Sequence, residues 1–556
     1  MKVARLRIFA VAVFALALAT APVGAQEEHH HPHGDGEQFG VVNFPASCRA
    51  DVLPTFTRAV AQLHSFGYEE SRLSFQEVLR ADPDCAMAYW GIAMTYYHPL
   101  WAPPGGEDLA AGRAAAAKAA ALGGKTEREA AFIAAIGAFY RDSEKTPHGP
   151  RAQAYSRAME DVTRPFPEDH EAAIFYALSL LGTAPPSDTT YANQKKAAAI
   201  LNAILPLEPR HPGIAHYMIH SFDYPELASE ALPAARAYSK IAPSSPHALH
   251  MPSHIFTRLG LWTESIDSNI ASAESGRQLV AKRHPGSVSF DTLHALDYLE
   301  YAYLQIGDEA NARKVLGETR EARRFDEPGF QAGYSIVAVP ARWTLERRDW
   351  KGAAALGPSE AALPWDRFAY VPAITEFARV LGAARSGRPD DARAPLAKLT
   401  EIQASLAKNP VPGPYDWAAQ VEAMRLAAAS WLAFAEGRKD EALALARSAA
   451  ELDEKAGKHP VTPGSILPPR ELLGDMLLEM GRAEEALAAY EASLRDAPGR
   501  FNSLYGAGRA ADAAGRRDVA ARMYGALLAQ CVSGSPRTEL AQARKYVAAA
   551  AALSGS

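Results

Sequence analysis

An internal period of 34 residues runs through this chain and dictates its architecture. Near the C-terminus Leu473, Gly474, Gly481, Ala486 and Tyr490 recur one period on as Ala507, Gly508, Gly515, Ala520 and Tyr524, and Pro498 closes the first of these units. Small residues let two helices approach closely, glycine ends the first helix of a unit, and proline ends the second. The same frame fits residues 52–85 (Ala59, Ser71, Phe75, Pro83), the unit beginning at Ala86, residues 212–245, the unit opening at Pro246, and the one marked by Gly307 and Ala312. Weaker units centre on 126–160, 334–364, 373–406 and 423–456, and one at about 167–209 carries the loop insertion TAPPSDTT. The frame predicts about twelve helical hairpins and essentially no strands. A chain of 556 residues is too long for one ordinary core, and an extended array, in which each hairpin packs only on its neighbours, removes that difficulty.

Small residues at repeat positions 8 and 20, an aromatic at 24 and proline at 32 resemble the tetratricopeptide repeat (TPR) family, over most of residues 48–550. The resemblance implies an all-α, right-handed solenoid. It also implies that positions 2, 5, 9, 12 and 13 of each repeat line a concave groove, where the family usually grips a peptide or protein. The expected organisation is an N-terminal array over 48–326 with a histidine-lined groove, followed by a C-terminal array over 327–556.

Residues 1–25 have a basic start (Lys2, Arg5, Arg7), an apolar stretch over 8–19 and small residues Val23 and Ala25 before Gln26, the pattern of a cleaved signal peptide. The apolar stretch is too short to span a bilayer. Residues 26–47 are expected to be a disordered His/Gly-rich linker; His29, His30, His31 and His33 would hold a metal weakly or serve as a soluble spacer. Export makes Cys48 and Cys85, which open equivalent helices of successive repeats, candidates for a disulfide, with Cys531 left as a buried thiol. The segments HPGIAHYMIHSFDYPELA and FPASC, with their surroundings, resemble a group of exported bacterial TPR proteins. That resemblance implies a periplasmic or secreted bacterial protein and supplies no activity.

What sets the chain apart is histidine in register. Residues 212–245 carry His216 and His220 at positions 5 and 9, and the next repeat carries His250 and His254 at the same positions. Each pair is i, i+4, so both rings leave one helix face a turn apart, and the two faces lie side by side. His247 and His294 fall at position 2, Asp297 at position 5, Asp223 at position 12, and His64 and His98 at position 13. Imidazole is the commonest neutral nitrogen ligand of Zn²⁺ and Cu²⁺. The expected metal set is therefore His216, His220, His250, His254, His247, His294 and Asp297. Asp223 would complete the site or orient a ligand ring, and His64, His98 and Tyr301 line the same groove. Tyr217 and Tyr301 are candidate acid or radical partners.

Such donors suit copper or zinc and exclude an oxygen-built Ca²⁺ or Mg²⁺ cage. A closed tetrahedron would be structural, and three ligands plus water would be catalytic. The alternative is a non-enzymatic scaffold, its groove completed by Arg342, Glu471, Asp475, Asn502, Tyr505 and Arg509. A net charge of −6 argues against a nucleic-acid partner. Gly124-Lys125-Thr126 ends like a phosphate loop, but Ala119 stands where the first glycine is required. No HExxH, GxSxG, CxxC or GxGxxG motif is present.

Overall fold

The computed structural model describes residues 36–100, 103–411 and 415–554. The expected signal segment and His29, His30, His31 and His33 lie outside the described residues. The fold is the expected all-helical solenoid of TPR-like hairpins, and among the described residues the only β feature is an isolated bridge between Val288 and Phe325. Successive helices pair as hairpins from Leu53–His64 with Tyr68–Ala81 to Phe501–Ala513 with Arg517–Gln530, and Thr538–Ser554 closes the array.

The repeat marks do the packing expected of them. A Cβ added to Gly474 would lie 2.9 Å from the Tyr490 ring, and one added to Gly508 would lie 2.6 Å from Tyr524. The aromatic at position 24 therefore lies on the bare backbone at position 8, which lets the two helices of a hairpin close up. Gly260, Gly307, Gly481 and Gly515 all have positive φ at the end of a first helix, where glycine carries no steric cost.

One apolar core gathers residues from Val42 to Phe256, and a second runs from Trp262 to Ala543. The seam between them falls in the hairpin carrying His250 and His254, well before residue 326, where the repeat frame divides the chain. Cys48 and Cys85 are disulfide-bonded, with Cα atoms 4.9 Å apart. Cys531 is half-buried rather than buried.

A further expectation changes. Residues 36–47, assigned to a disordered linker, pack against the array. Gln38 and Val41 bond to Ser244 and Arg210, and Phe44 stacks on Trp90 at 5.0 Å. The apolar side chains Val42 and Phe44 bury themselves and offset the ordering entropy that the polar tail before them cannot.

Hairpins far apart in sequence also bond to one another across the array. Trp262 Nε1 donates to the Gly499 carbonyl (3.0 Å), Phe501 N to Gln305 (2.9 Å) and Val532 N to Ile306 (3.0 Å). Arg342 pairs with Asp297, and Glu471 binds Arg500 and Arg348. These inward-facing charges are neutralised internally rather than presented to a partner. Asp475, Asn502, Tyr505 and Arg509 do border a polar cleft of about 280 Å³.

Candidate metal centre

Pro212 starts the helix Pro212–Phe222, where its missing N–H costs nothing, and that helix carries His216 and His220. The next first helix is split into Pro246–His250 and Pro252–Arg258, because Pro252 supplies no N–H to the ladder. His250 and His254 thus stand on either side of a break rather than on one continuous helix. His294 sits on Phe290–Gln305, one repeat further on.

These helices gather six imidazoles into two trios, His216/His220/His247 and His250/His254/His294, with the ligand atoms of each trio all within 4.8 Å of one another. In the first, His216 Nε2 lies 3.0 Å from His220 Nε2 and 3.1 Å from His247 Nε2. In the second, His250 Nε2 and His254 Nε2 are 3.0 Å apart.

The tautomers follow from the other nitrogens. His216 Nδ1 is 2.7 Å from the His64 carbonyl, which only accepts, so Nδ1 carries the proton and Nε2 a lone pair. His254 Nδ1 donates to Asp223 Oδ2 at 3.0 Å. His250 Nδ1 donates to Asn269 Oδ1 at 2.6 Å, an orientation fixed because Asn269 Nδ2 donates to the Ser265 carbonyl. His250 and His254 therefore aim two lone pairs at each other across 3.0 Å. The Tyr298 hydroxyl does not resolve this contact. It lies 3.3 Å from both nitrogens of His254, over the ring face, and donates to the Thr462 carbonyl at 3.1 Å. In the first trio one His216 lone pair faces two neighbouring nitrogens and can accept from only one. A cation between the rings satisfies all these atoms at once, and the Nδ1 contacts are the outer-shell bonds that orient metal-binding imidazoles.

Electrostatics keep the donors neutral. Burial holds His216, His220, His247, His250 and His294 well below the usual histidine value. Burial lowers His254 too, against the pull of Asp223. Asp223 is itself ionised, because Lys458 and Arg258 outweigh its burial. Lys458 Nζ lies 2.7 Å and Arg258 Nε 2.9 Å from its oxygens.

Phe66 caps the first trio, its ring centroid 4.3 Å from that of His216. It holds φ at 54° at the repeat position where Gly260, Gly307, Gly481 and Gly515 stand. A phenylalanine in the left-handed region costs about 1–3 kcal/mol, and such strain concentrates at functional sites.

Several expected residues fall elsewhere. Asp297 belongs to neither trio, because Arg342 from the following hairpin neutralises it. Tyr301 accepts from Arg500 Nη1 at 2.9 Å, away from the imidazoles, and Tyr298, one turn after His294, takes the place by the rings. His64 contributes its backbone carbonyl, not its ring. The ring donates from Nε2 to Glu171 (2.9 Å) and accepts from Tyr217 at Nδ1 (2.9 Å). Glu171 also accepts from His211 at 3.0 Å. Burial raises the Glu171 carboxyl and the two rings more than offset it, leaving it at about 2. The facing atoms of His64, Glu171 and His211 are thus bonded to one another with no opposed lone pairs, unlike the trios. His98 stacks on Tyr68 at 4.3 Å, and Tyr68 on Phe66 at 5.3 Å, so two rings separate it from the first trio. Reasoning from sequence missed Asn269, Lys458, Glu171, His211 and Phe66. Phe66 had a sequence signal, standing where the frame elsewhere puts glycine, and so did Tyr298, by its i+4 spacing from His294.

No family model and no curated protein matches the chain. Among solved structures it is similar along most of its length to yeast Tom70 (10% identity, covering 91% of this chain and 96% of that one, TM-score 0.34). It is also similar to human IFIT1 bound to m7Gppp-AAAA (11%, 85% and 90%, 0.35) and to Cut9 of the APC/C Cut9–Hcn1 assembly (12%, 89% and 96%, 0.29). At these scores no residue role transfers from any of them, and the centre stands on its own geometry.

Proposed function

We propose that this chain binds two transition-metal ions, copper or zinc, through the His216/His220/His247 and His250/His254/His294 trios on the inner wall of its solenoid. One observation carries the reading: the buried Nε2 atoms of His250 and His254 face each other at 3.0 Å while both Nδ1 atoms donate elsewhere. Burying two opposed acceptors is costly without a cation between them. Three imidazoles per ion leave one position open, the arrangement of a reactive rather than a closed site. The Cys48–Cys85 bond supports a periplasmic or secreted location. A peptide partner, if the array also acts as a scaffold, has the cleft bordered by Asp475 and Arg509 available to it.

The test is elemental analysis of full-length protein purified without chelators or an affinity tag, with His29, His30, His31 and His33 changed to serine so that the tail contributes nothing. Two equivalents of metal are expected, falling to one in His254→Ala. Absence of metal after reconstitution with copper and with zinc overturns the reading.

A further inference from the structure

We propose that the two trios form a single dinuclear copper centre that takes up dioxygen between its ions, an inference that rests on the metal-binding reading of the same residues. The first ground is proximity. Rings of the two trios interleave, with the His220 and His254 centroids 6.4 Å apart and those of His247 and His250 also 6.4 Å apart. Metal–nitrogen bonds of about 2.0–2.1 Å keep each ion inside its own trio, so the ions become neighbours able to share one small ligand.

Charge is the second ground. All six donors are imidazoles, a ligand that binds metal in its uncharged form, and neither trio includes a carboxylate or a thiolate. The carboxylate that orients His254 belongs to Asp223, already paired with Arg258 and Lys458. Among the described residues, Asp223 is the one carboxylate bonded to a trio imidazole. Two divalent ions close together in a buried site repel strongly, whereas two cuprous ions bring half that charge. Once oxidised, copper also heads the affinity order of divalent ions.

Access is the third. His220 and His247 are half-buried, while His250 and His254 are each only 2% exposed. The centre therefore meets solvent along one edge of the first trio. On its other side Lys458 and Thr462, bonded to Asp223 and Tyr298, cover the second trio. A centre enclosed this far admits a small molecule such as dioxygen more readily than a peptide chain.

The step balances without another reagent. Each cuprous ion gives one electron, the two together reduce dioxygen to peroxide held between two cupric ions, and release of dioxygen reverses it. No proton is consumed.

The experiment loads the full chain anaerobically with cuprous ion, counts copper by elemental analysis, then admits dioxygen while recording uptake, near-ultraviolet absorption and electron paramagnetic resonance. The expected result is one dioxygen taken up per two coppers, a new absorption band, and no resonance signal from the oxidised pair because the two spins couple. His254→Ala and, independently, His220→Ala should each hold one copper, take up no dioxygen, and give an ordinary isolated cupric signal after chemical oxidation. Two coppers that give two isolated cupric signals without dioxygen uptake overturn this inference and leave the metal-binding reading standing. Failure to hold copper at all overturns both.

Discussion

Replacing His254 with leucine should cost the metal-free protein little and the metal-loaded protein a great deal. Without metal, the Nε2 atoms of His250 and His254 are opposed acceptors 3.0 Å apart, and a buried unsatisfied acceptor costs about 1–3 kcal/mol. Leucine removes that penalty but forfeits the Nδ1 bond to Asp223, worth about 1.5–3 kcal/mol for a charged acceptor. Asp223 is not stranded, because Arg258 and Lys458 still hold it. The two contributions cancel to within about 1 kcal/mol, less than the usual cost of disrupting a buried polar group. With free metal at about 1,000 times the dissociation constant, each bound ion adds about 4 kcal/mol. At about 2.1 cal/mol/K per residue, unfolding some 500 residues together makes that about a 4 °C rise in Tm per ion. Calorimetry of the apo and metal-titrated proteins should show similar apo Tm values, a rise of about 8 °C in the parent and about 4 °C in His254→Leu. An apo Tm lowered by more than about 5 °C, or equal metal-induced rises, refutes the opposed-lone-pair argument.

Asp223→Asn should weaken metal at the second trio by about 10–100-fold, measured by competition with a chromophoric chelator, while the first trio keeps its affinity; equal affinities at both would show that Asp223 orients nothing. His459 accepts a bond from Val461 N at Nδ1, and burial, with Lys458 adding to it, depresses the ring to about 3. Its folded value lies below its unfolded one, so its contribution is complete above about pH 6.5 and is lost as pH falls, by about 1.4 kcal/mol at pH 5.5. Hydrogen-exchange protection of residues 457–467 should fall over that range, and less steeply in His459→Phe; equal slopes would remove His459 as the cause. Changing both Cys48 and Cys85 to serine opens a loop of sequence separation 37 and should cost about 4 kcal/mol, read from denaturant unfolding without reductant; no change would mean the bridge closes nothing the rest of the fold does not.

The solenoid was legible because its marks are local: Gly474 and Tyr490 meet within one hairpin. The centre was half legible for the same reason, since His216, His220, His250 and His254 repeat at the period, and His247 and His294 share another register position. Register tells which side chains face inward, not what they meet there. Asp297 faces inward and is met by Arg342 from the next hairpin. Pro252 was visible in the sequence, yet the helix break it causes leaves the two ring nitrogens converged, which spacing alone does not reveal. Residues 36–47 follow a polar, histidine-rich stretch whose composition masked Val42 and Phe44. Lys458 had no signal at all, because it reaches Asp223 only when the array curls back on itself.

That reach of 235 residues between Lys458 and Asp223 sets an order of events for a chain that folds as it emerges. At about 5–20 residues per second, the six histidines emerge roughly ten to thirty seconds before Lys458 does. Until then Asp223 has Arg258 as its near cation, and the imidazoles stand open on the side that residues 457–467 later cover. A nascent or truncated chain ending before residue 457 would thus present the donors without their cover, so the interval before the last hairpins fold is when ions enter most freely and when the wrong ion is most easily trapped.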